Sequence, residues 1–219
     1  MKIYRFRNIS INTYRELITR KVWFSRYAYL NDPFEGNYIN NSGQNDLDEI
    51  LKDFEICSYS KRKNNLLMWS HYADSHKGVC LEYEIDDTEY KKSYFEVTYS
   101  KNQPIIENIR KNNHGMVKIS ESAEFQVFLT KSPDWKYEKE IRTIHSGFFE
   151  TKGTLKKEPG KLSAVYFGLH ASDRHIDDID TILEKDKNIR FYKAEFKEGK
   201  YKLLFNKIER PTKLTIDYS

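Results

Sequence analysis

The sequence predicts an α+β fold: a mixed or mostly antiparallel sheet with flanking helices. Three observations carry that expectation. About eight stretches alternate in character as strands do and about five have helical spacing, and the helical ones cluster instead of alternating strictly with strands, which argues against a doubly wound parallel sheet. Aromatic residues make up 15% of the chain, with 16 Tyr and 13 Phe, core material that disordered chains lack. The 5 prolines and 9 glycines are scattered, with no repeat and no low-complexity linker. The 219 residues are therefore expected to form one domain, 1–219, long enough to bury a core.

The elements follow in order. In "KIYRFR", residues 2–7, Tyr4 and Phe6 share one face and Ile3, Arg5 and Arg7 the other, a strand with its aromatic face buried and its arginine face exposed. "NTYRELITR" reads as a helix: Thr13 and Glu16 fit a capping box, and Ile11, Tyr14, Leu17 and Ile18 form an apolar stripe. "KVWFSR" is a short strand, and "NDPFEG", 31–36, is turn chemistry, with Asn and Asp before Pro and then Gly. Residues 46–54 read as a helix, 55–60 as a strand and "NNLLMWSHYADS" as a helical turn. "KGVCLEYEID" is the cleanest strand, with Val79, Leu81, Tyr83 and Ile85 alternating with Cys80, Glu82 and Glu84. "FEVTYS", 95–100, is another strand, and 104–112 and 117–131 read as helices, the second stopped near Pro133. "DWKYEKEIRTI", 134–144, reads as a strand with Glu138, Glu140 and Arg142 on one face. "SAVYFGLHAS" is a buried strand, and "SDRHIDDIDTILEKDK" is a capped helix with Ile176, Ile179, Ile182 and Leu183 inward. "IRFYKAEF" and "YKLLFNKIE" form a hairpin across Glu198-Gly199-Lys200.

Composition narrows the function classes. The net charge of +4 permits a phosphate-bearing partner without demanding one. The basic clusters "KRK", 61–63, and "TLKKEPGK", 154–161, are small and read as solvated loops, unlike the dense clusters of duplex binders. The two cysteines, Cys57 and Cys80, make no metal spacing, so no metal is expected. The N-terminus has no apolar signal core and no run approaches a membrane span, so a cytoplasmic location without membrane contact is expected. Neither a Walker loop nor GxGxxG, GxSxG or HExxH is present.

Three segments remain as carriers of chemistry. In "MWSHYADSHKG", Trp69, Ser70, His71 and Tyr72 form a cluster suited to stacking on a base and bonding a ribose or phosphate; the bland alternative is a core Trp and Tyr with His71 satisfying backbone. Glu138 and Glu140, two apart on a strand, suit acid/base work or stabilisation of a developing cation if the face is enclosed. On an open face Arg142 and neighbouring lysines simply neutralise them. Arg5 offers a guanidinium fork for a carboxylate or phosphate, or is a surface strand charge.

Taken together, "YRFRNISINTYRELITRKVWFS", "YLNDPFEG", "LLMWSHYADSHKGVCLEYEI", "FLTKSPDWKYEKEIRTI" and "AVYFGLHAS" resemble a bacterial family catalogued as domain of unknown function 2971. The order of Arg5, the middle cluster and Glu138 with Glu140 also resembles ADP-ribosyltransferase-like folds, although the usual Ser-Thr-Ser middle motif is missing. That resemblance implies NAD as substrate. Arg5, Trp69, Ser70, His71, Tyr72 and Arg142 would bind the nucleotide, Glu140 would stabilise an oxocarbenium-like transition state, and Glu138 would orient or activate the acceptor. The expected function is an intracellular bacterial nucleotide-acting enzyme, an NAD-dependent ADP-ribosyltransferase or NAD glycohydrolase, in a toxin or anti-phage defence role with a protein or nucleic-acid acceptor. The alternatives are a non-catalytic nucleotide-, RNA- or protein-binding module, and a nuclease holding Mg²⁺ on Glu82, Glu138 and Glu140.

Overall fold

The computed structural model describes residues 1–41, 43, 51, 52, 54–107, 123–146 and 151–210. The first half of the chain contains β1 (Lys2–Arg7), α1 (Ile11–Thr19), β2 (Lys21–Arg26), β3 (Ile39–Asn40), β4 (Phe54–Ser60), α2 (Leu66–Tyr72) and β5 (Val79–Glu84). Next come α3 (Asp87–Ser93), β6 (Phe95–Glu96), β7 (Thr98–Tyr99), β8 (Ile105–Ile106), α4 (Ala123–Leu129) and β9 (Thr130–Lys131). A 3-10 turn, Pro133–Glu138, leads into β10 (Glu140–Ser146), followed by β11 (Gly153–Lys157), β12 (Lys161–Phe167), α5 (Asp173–Ile182), β13 (Arg190–Phe196) and β14 (Leu203–Ile208). The architecture is α+β with mixed, mostly antiparallel pairing. The chain divides into two compact units, each assembled from separated segments: residues 1–21, 62–85 and 157–219 form the first, 22–61 and 86–156 the second.

In the first unit the strands lie in the order β1, β5, β12, β13, β14. All neighbours are antiparallel except β12 and β13, which run parallel because α5 carries the chain back between them. Both faces of β1 and β5 are buried, so the arginine face of β1 is not solvated as expected. The reason lies in α1. That helix starts after Ser10, ahead of the expected capping box, and it buries Thr13, Glu16 and Leu17 while Ile11 and Ile18 stay 72% and 66% exposed. Glu16 turns inward because Arg5 and Arg7 wait there, at 3.5 and 3.1 Å. A buried charge must be paired, and that requirement overrides the apolar stripe.

Two glycines of this unit sit where backbones cross. A Cβ on Gly168 would collide with the carbonyls of His76 and Gly78, and one on Gly78 with that of Arg7. Gly168→Ala is therefore expected to cost about 1–3 kcal/mol, the usual penalty for overpacking; a urea unfolding curve unchanged by the substitution would refute the crowding.

In the second unit β10 pairs antiparallel with β4 along its whole length, from Glu140 opposite Ser60 to Ser146 opposite Phe54, and on its other side with β6. β4 also pairs with β2. Two short parallel pairs, β3 with β8 and β7 with β9, complete the set. Phe54, Ile56, Ile106, Phe125, Phe128 and Leu129 belong to its core.

Several expectations are corrected here. Residues 105 and 106 are strand rather than helix, because Ile106 is claimed by the core and Ile105 by pairing with Ile39. Residues 130 and 131 leave the helix to pair with β7. The 95–100 stretch breaks into two strands at Val97, whose N–H bonds to the Glu140 carbonyl. Residues 153–157 form β11 rather than a loop, and α3 had no periodic apolar signal, since none of its residues is buried. The expected helix over 46–54 falls largely outside the described residues, as do 108–112 of the one over 104–112 and 117–122 of the one over 117–131.

Candidate functional site

"DWKYEKEIRTI" is not one strand. Pro133 opens a 3-10 turn, Ser132 caps it by accepting the Asp134 N–H, and Lys139 ends it in the left-handed region at φ 48°. Glu138 is the last residue of that turn and Glu140 the first of β10. The corner is pinned to β4: the Ser60 hydroxyl donates to the Glu138 carbonyl at 2.6 Å, and the Lys61 N–H to that of Lys139 at 3.0 Å. The Tyr99 hydroxyl accepts the Glu140 N–H at 2.9 Å. The two carboxylates still converge, by a corner rather than by strand alternation.

They converge on Lys131. Its Nζ donates to Glu138 Oε2 at 2.7 Å and to Glu140 Oε2 at 3.4 Å, and lies 3.5 Å from Glu35 Oε1 and 4.5 Å from the centre of the Trp135 ring. Arg142 grips Glu140 with two bonds, Nε to Oε1 at 2.8 Å and Nη2 to Oε2 at 3.0 Å. It also donates to the Phe128 carbonyl at 2.7 Å and to Glu35. All five charged side chains are buried. Their formal charges, three negative and two positive, sum to minus one.

Burial alone would push the Glu140 carboxyl up, but the Arg142 and Lys131 charges outweigh it and hold the group down at about 2. For Lys131, burial lowers the ammonium's pKa, and Glu140, Glu35 and Glu138 more than reverse this, raising it. Burial, with the neighbouring carboxylates adding to it, pushes the Tyr99 hydroxyl up to about 12. Glu140 and Arg142 are thus held ionised and fixed at neutral pH, a preorganised electrostatic unit.

Sequence reasoning missed Glu35 and Tyr99. Glu35 sits in the "NDPFEG" turn, where Asp32 Oδ1 accepts the Phe34 N–H at 2.9 Å, the Asp32 carbonyl accepts the Glu35 N–H at 3.1 Å, and Gly36 takes φ 81°. The turn chemistry was visible, but not that it aims a carboxylate at Arg142.

The other expected residues belong to the first unit. Arg5 is buried and paired with Glu16. Trp69 is fully buried, edge-on to Phe6 and beside Phe205, and its indole N–H donates to the Lys63 carbonyl at 2.7 Å, so no ring face is open to a base. Stacking by Trp69 is thus corrected to core packing. Ser70 and His71 are exposed and Tyr72 is half-buried. Ser70 Oγ lies 3.3 Å from His76 Nε2. Glu82 is taken up by Lys2, Ser163 and Tyr166 at 2.8, 2.9 and 2.8 Å, in the first unit, whereas Glu138 and Glu140 lie in the second.

A family model described as a protein of unknown function, DUF2971, matches residues 68–143, about a third of the chain. The matched segment contains Trp69 to Tyr72, Tyr99, Lys131, Glu138, Glu140 and Arg142; Arg5 and Glu35 lie before it. No curated protein and no solved structure matches the chain. Among the described residues no helix is long and apolar enough to cross a membrane, and no group of three or more His, Cys, Asp or Glu side chains is arranged to hold a metal ion.

Proposed function

We propose that the chain is an enzyme acting on a nucleotide, most concretely one that breaks the glycosidic bond of NAD for ADP-ribosyl transfer or hydrolysis. One observation carries this reading: Glu138 and Glu140 meet on a single ammonium in a buried setting, held by Arg142. Cleavage of that bond develops positive charge on the ribosyl carbon. Fixed negative charge in a water-poor site stabilises such a transition state without reorganising. Glu140, Arg142 and Lys131 are positioning residues here, since each spends its charge on the others. Glu138 is bonded to Lys131 as well, so the field at the ribosyl carbon comes from the set's net charge of minus one, which Glu138 completes. A unit charge about 10 Å away at an effective dielectric of 20 is worth about 1.7 kcal/mol, a little over tenfold in rate.

Glu138→Gln is therefore expected to slow nicotinamide release from NAD by about tenfold or more, with the melting curve showing that the variant is folded. Absence of nicotinamide release by the wild type, with and without cell lysate as acceptor source, would refute the reading. One observation favours a second reading, a non-catalytic binding module: both Glu140 oxygens are already bonded by Arg142. That reading predicts saturable nucleotide binding with no turnover.

A further inference from the structure

Asp32 belongs to the second unit and lines a surface groove of about 260 Å³ between the "NDPFEG" turn, residues 100–104 and residues 130–132. It is 4% exposed. Its Oδ1 is used inside the turn, as described above. Its Oδ2 is buried and has no hydrogen-bond partner among the described residues. A buried carboxylate oxygen without a donor costs about 1–3 kcal/mol or more, and native proteins keep such atoms where something else supplies the donor.

We propose that the groove is a ribose site, in which Asp32 accepts a hydrogen bond from a vicinal hydroxyl of a ribonucleotide. The lining defines the occupant. A free anion seated on Asp32 has only Lys101 to offset that carboxylate, because Lys131 is already engaged by Glu138 and Glu140. A divalent cation asks for more oxygen charge than the single carboxylate that lines the groove. A polyol fits: it donates to Asp32 and exchanges bonds both ways with the amides of Asn37, Asn102 and Gln103 and the hydroxyl of Thr130. Phe34, 67% exposed, offers a ring face for a base, and Lys101 offers a charge for a phosphate. The volume lies below the roughly 300–1,000 Å³ of drug-sized pockets, so the groove takes one ring of a larger ligand.

The proposal rests on the nucleotide reading above and deepens it. Lys131 lines the groove, and its ammonium is the one bonded to Glu138. A ribose in the groove therefore lies beside the side chain on which the carboxylates converge.

The test is calorimetric titration of the full chain with AMP and with 2′,3′-dideoxy-AMP. AMP is expected to bind about 10- to 100-fold more tightly, the worth of a hydrogen bond to a charged acceptor. Asp32→Asn is expected to remove that preference. If Asp32→Asn fails to fold, the two ligands on the wild type still decide. Equal affinities, or no AMP binding at millimolar concentration, overturn the site. Discrimination without nicotinamide release keeps the site and removes the enzyme reading, whereas nicotinamide release without discrimination does the reverse.

Discussion

Arg142→Met is expected to destabilise the second unit by about 3–5 kcal/mol, the cost of removing one partner from a buried ion pair. Methionine retains much of the apolar stem, so the loss is electrostatic rather than a cavity. Three effects act together. Glu140 loses both bonds of a bidentate grip, Glu35 loses a partner, and the buried Phe128 carbonyl loses its donor. The five-residue set moves from a formal charge of minus one to minus two, with Lys131 left to face three carboxylates. Against a typical total of about 5–15 kcal/mol, this is enough to unfold the unit at moderate temperature. Glu138→Gln is expected to cost much less, because Glu138 pairs with Lys131, which keeps Glu140 and Glu35 as partners. Arg142→Lys keeps the charge but not the fork, and falls between them. Urea unfolding of the three variants gives the order. A loss under about 1 kcal/mol for Arg142→Met would mean that solvent already screens the pair as it does surface bridges, and would remove the preorganised charge from the functional argument.

The periodic parts of the fold were legible in the sequence. The strands 2–7 and 79–84 announce themselves by alternating residue types and 161–167 by an apolar run, although in the fold both faces of all three are buried. The α+β class followed from how such segments are ordered. What stayed hidden was set by distant partners. Nothing within "NTYRELITR" shows that Glu16 is drawn inward by two arginines on β1. Nothing within "TKSPDWKYEKEIRTI" shows that an αL residue at Lys139 makes a corner, since a left-handed lysine is favoured only by its surroundings. The same limit explains Asp74, Ser75 and His76, three consecutive residues at φ 45°, 49° and 69°. Each costs about 1–2 kcal/mol in the left-handed region. They are held by bonds from Gly78 N–H to the Ala73 carbonyl at 2.8 Å and from His170 N–H to the His76 carbonyl at 2.9 Å. At the candidate site, sequence reasoning placed Glu138, Glu140 and Arg142 together, through strand alternation that applies only to the last two. Lys131 and Trp135 flank the two carboxylates in the chain. Glu35 came from more than a hundred residues away in the chain, at a turn whose chemistry says where the backbone bends and not what it faces.

Acid should expose the same network from the opposite direction. Glu140 is held at about 2, against an ordinary value of 4.5. Between those values the unfolded chain binds a proton that the folded chain refuses, so stability rises with pH across that window. The contribution is complete above about 4.5 and is lost as pH falls toward 2. A carboxyl so displaced corresponds to about 3 kcal/mol at neutral pH. Glu140→Gln resembles the protonated state at every pH. It is expected to be about 3 kcal/mol less stable than the wild type at pH 7, with the gap closing as pH falls from 4.5 toward 2. Paired urea titrations at pH 7, 5, 4 and 3 follow that gap. One that stays constant through acid would mean that Glu140 contributes through packing and neutral hydrogen bonds, because only an ionised carboxylate makes the difference depend on pH. A gap that closes instead near neutral pH would place the titration on a group whose folded value is raised, and would contradict a Glu140 held ionised by Arg142 and Lys131.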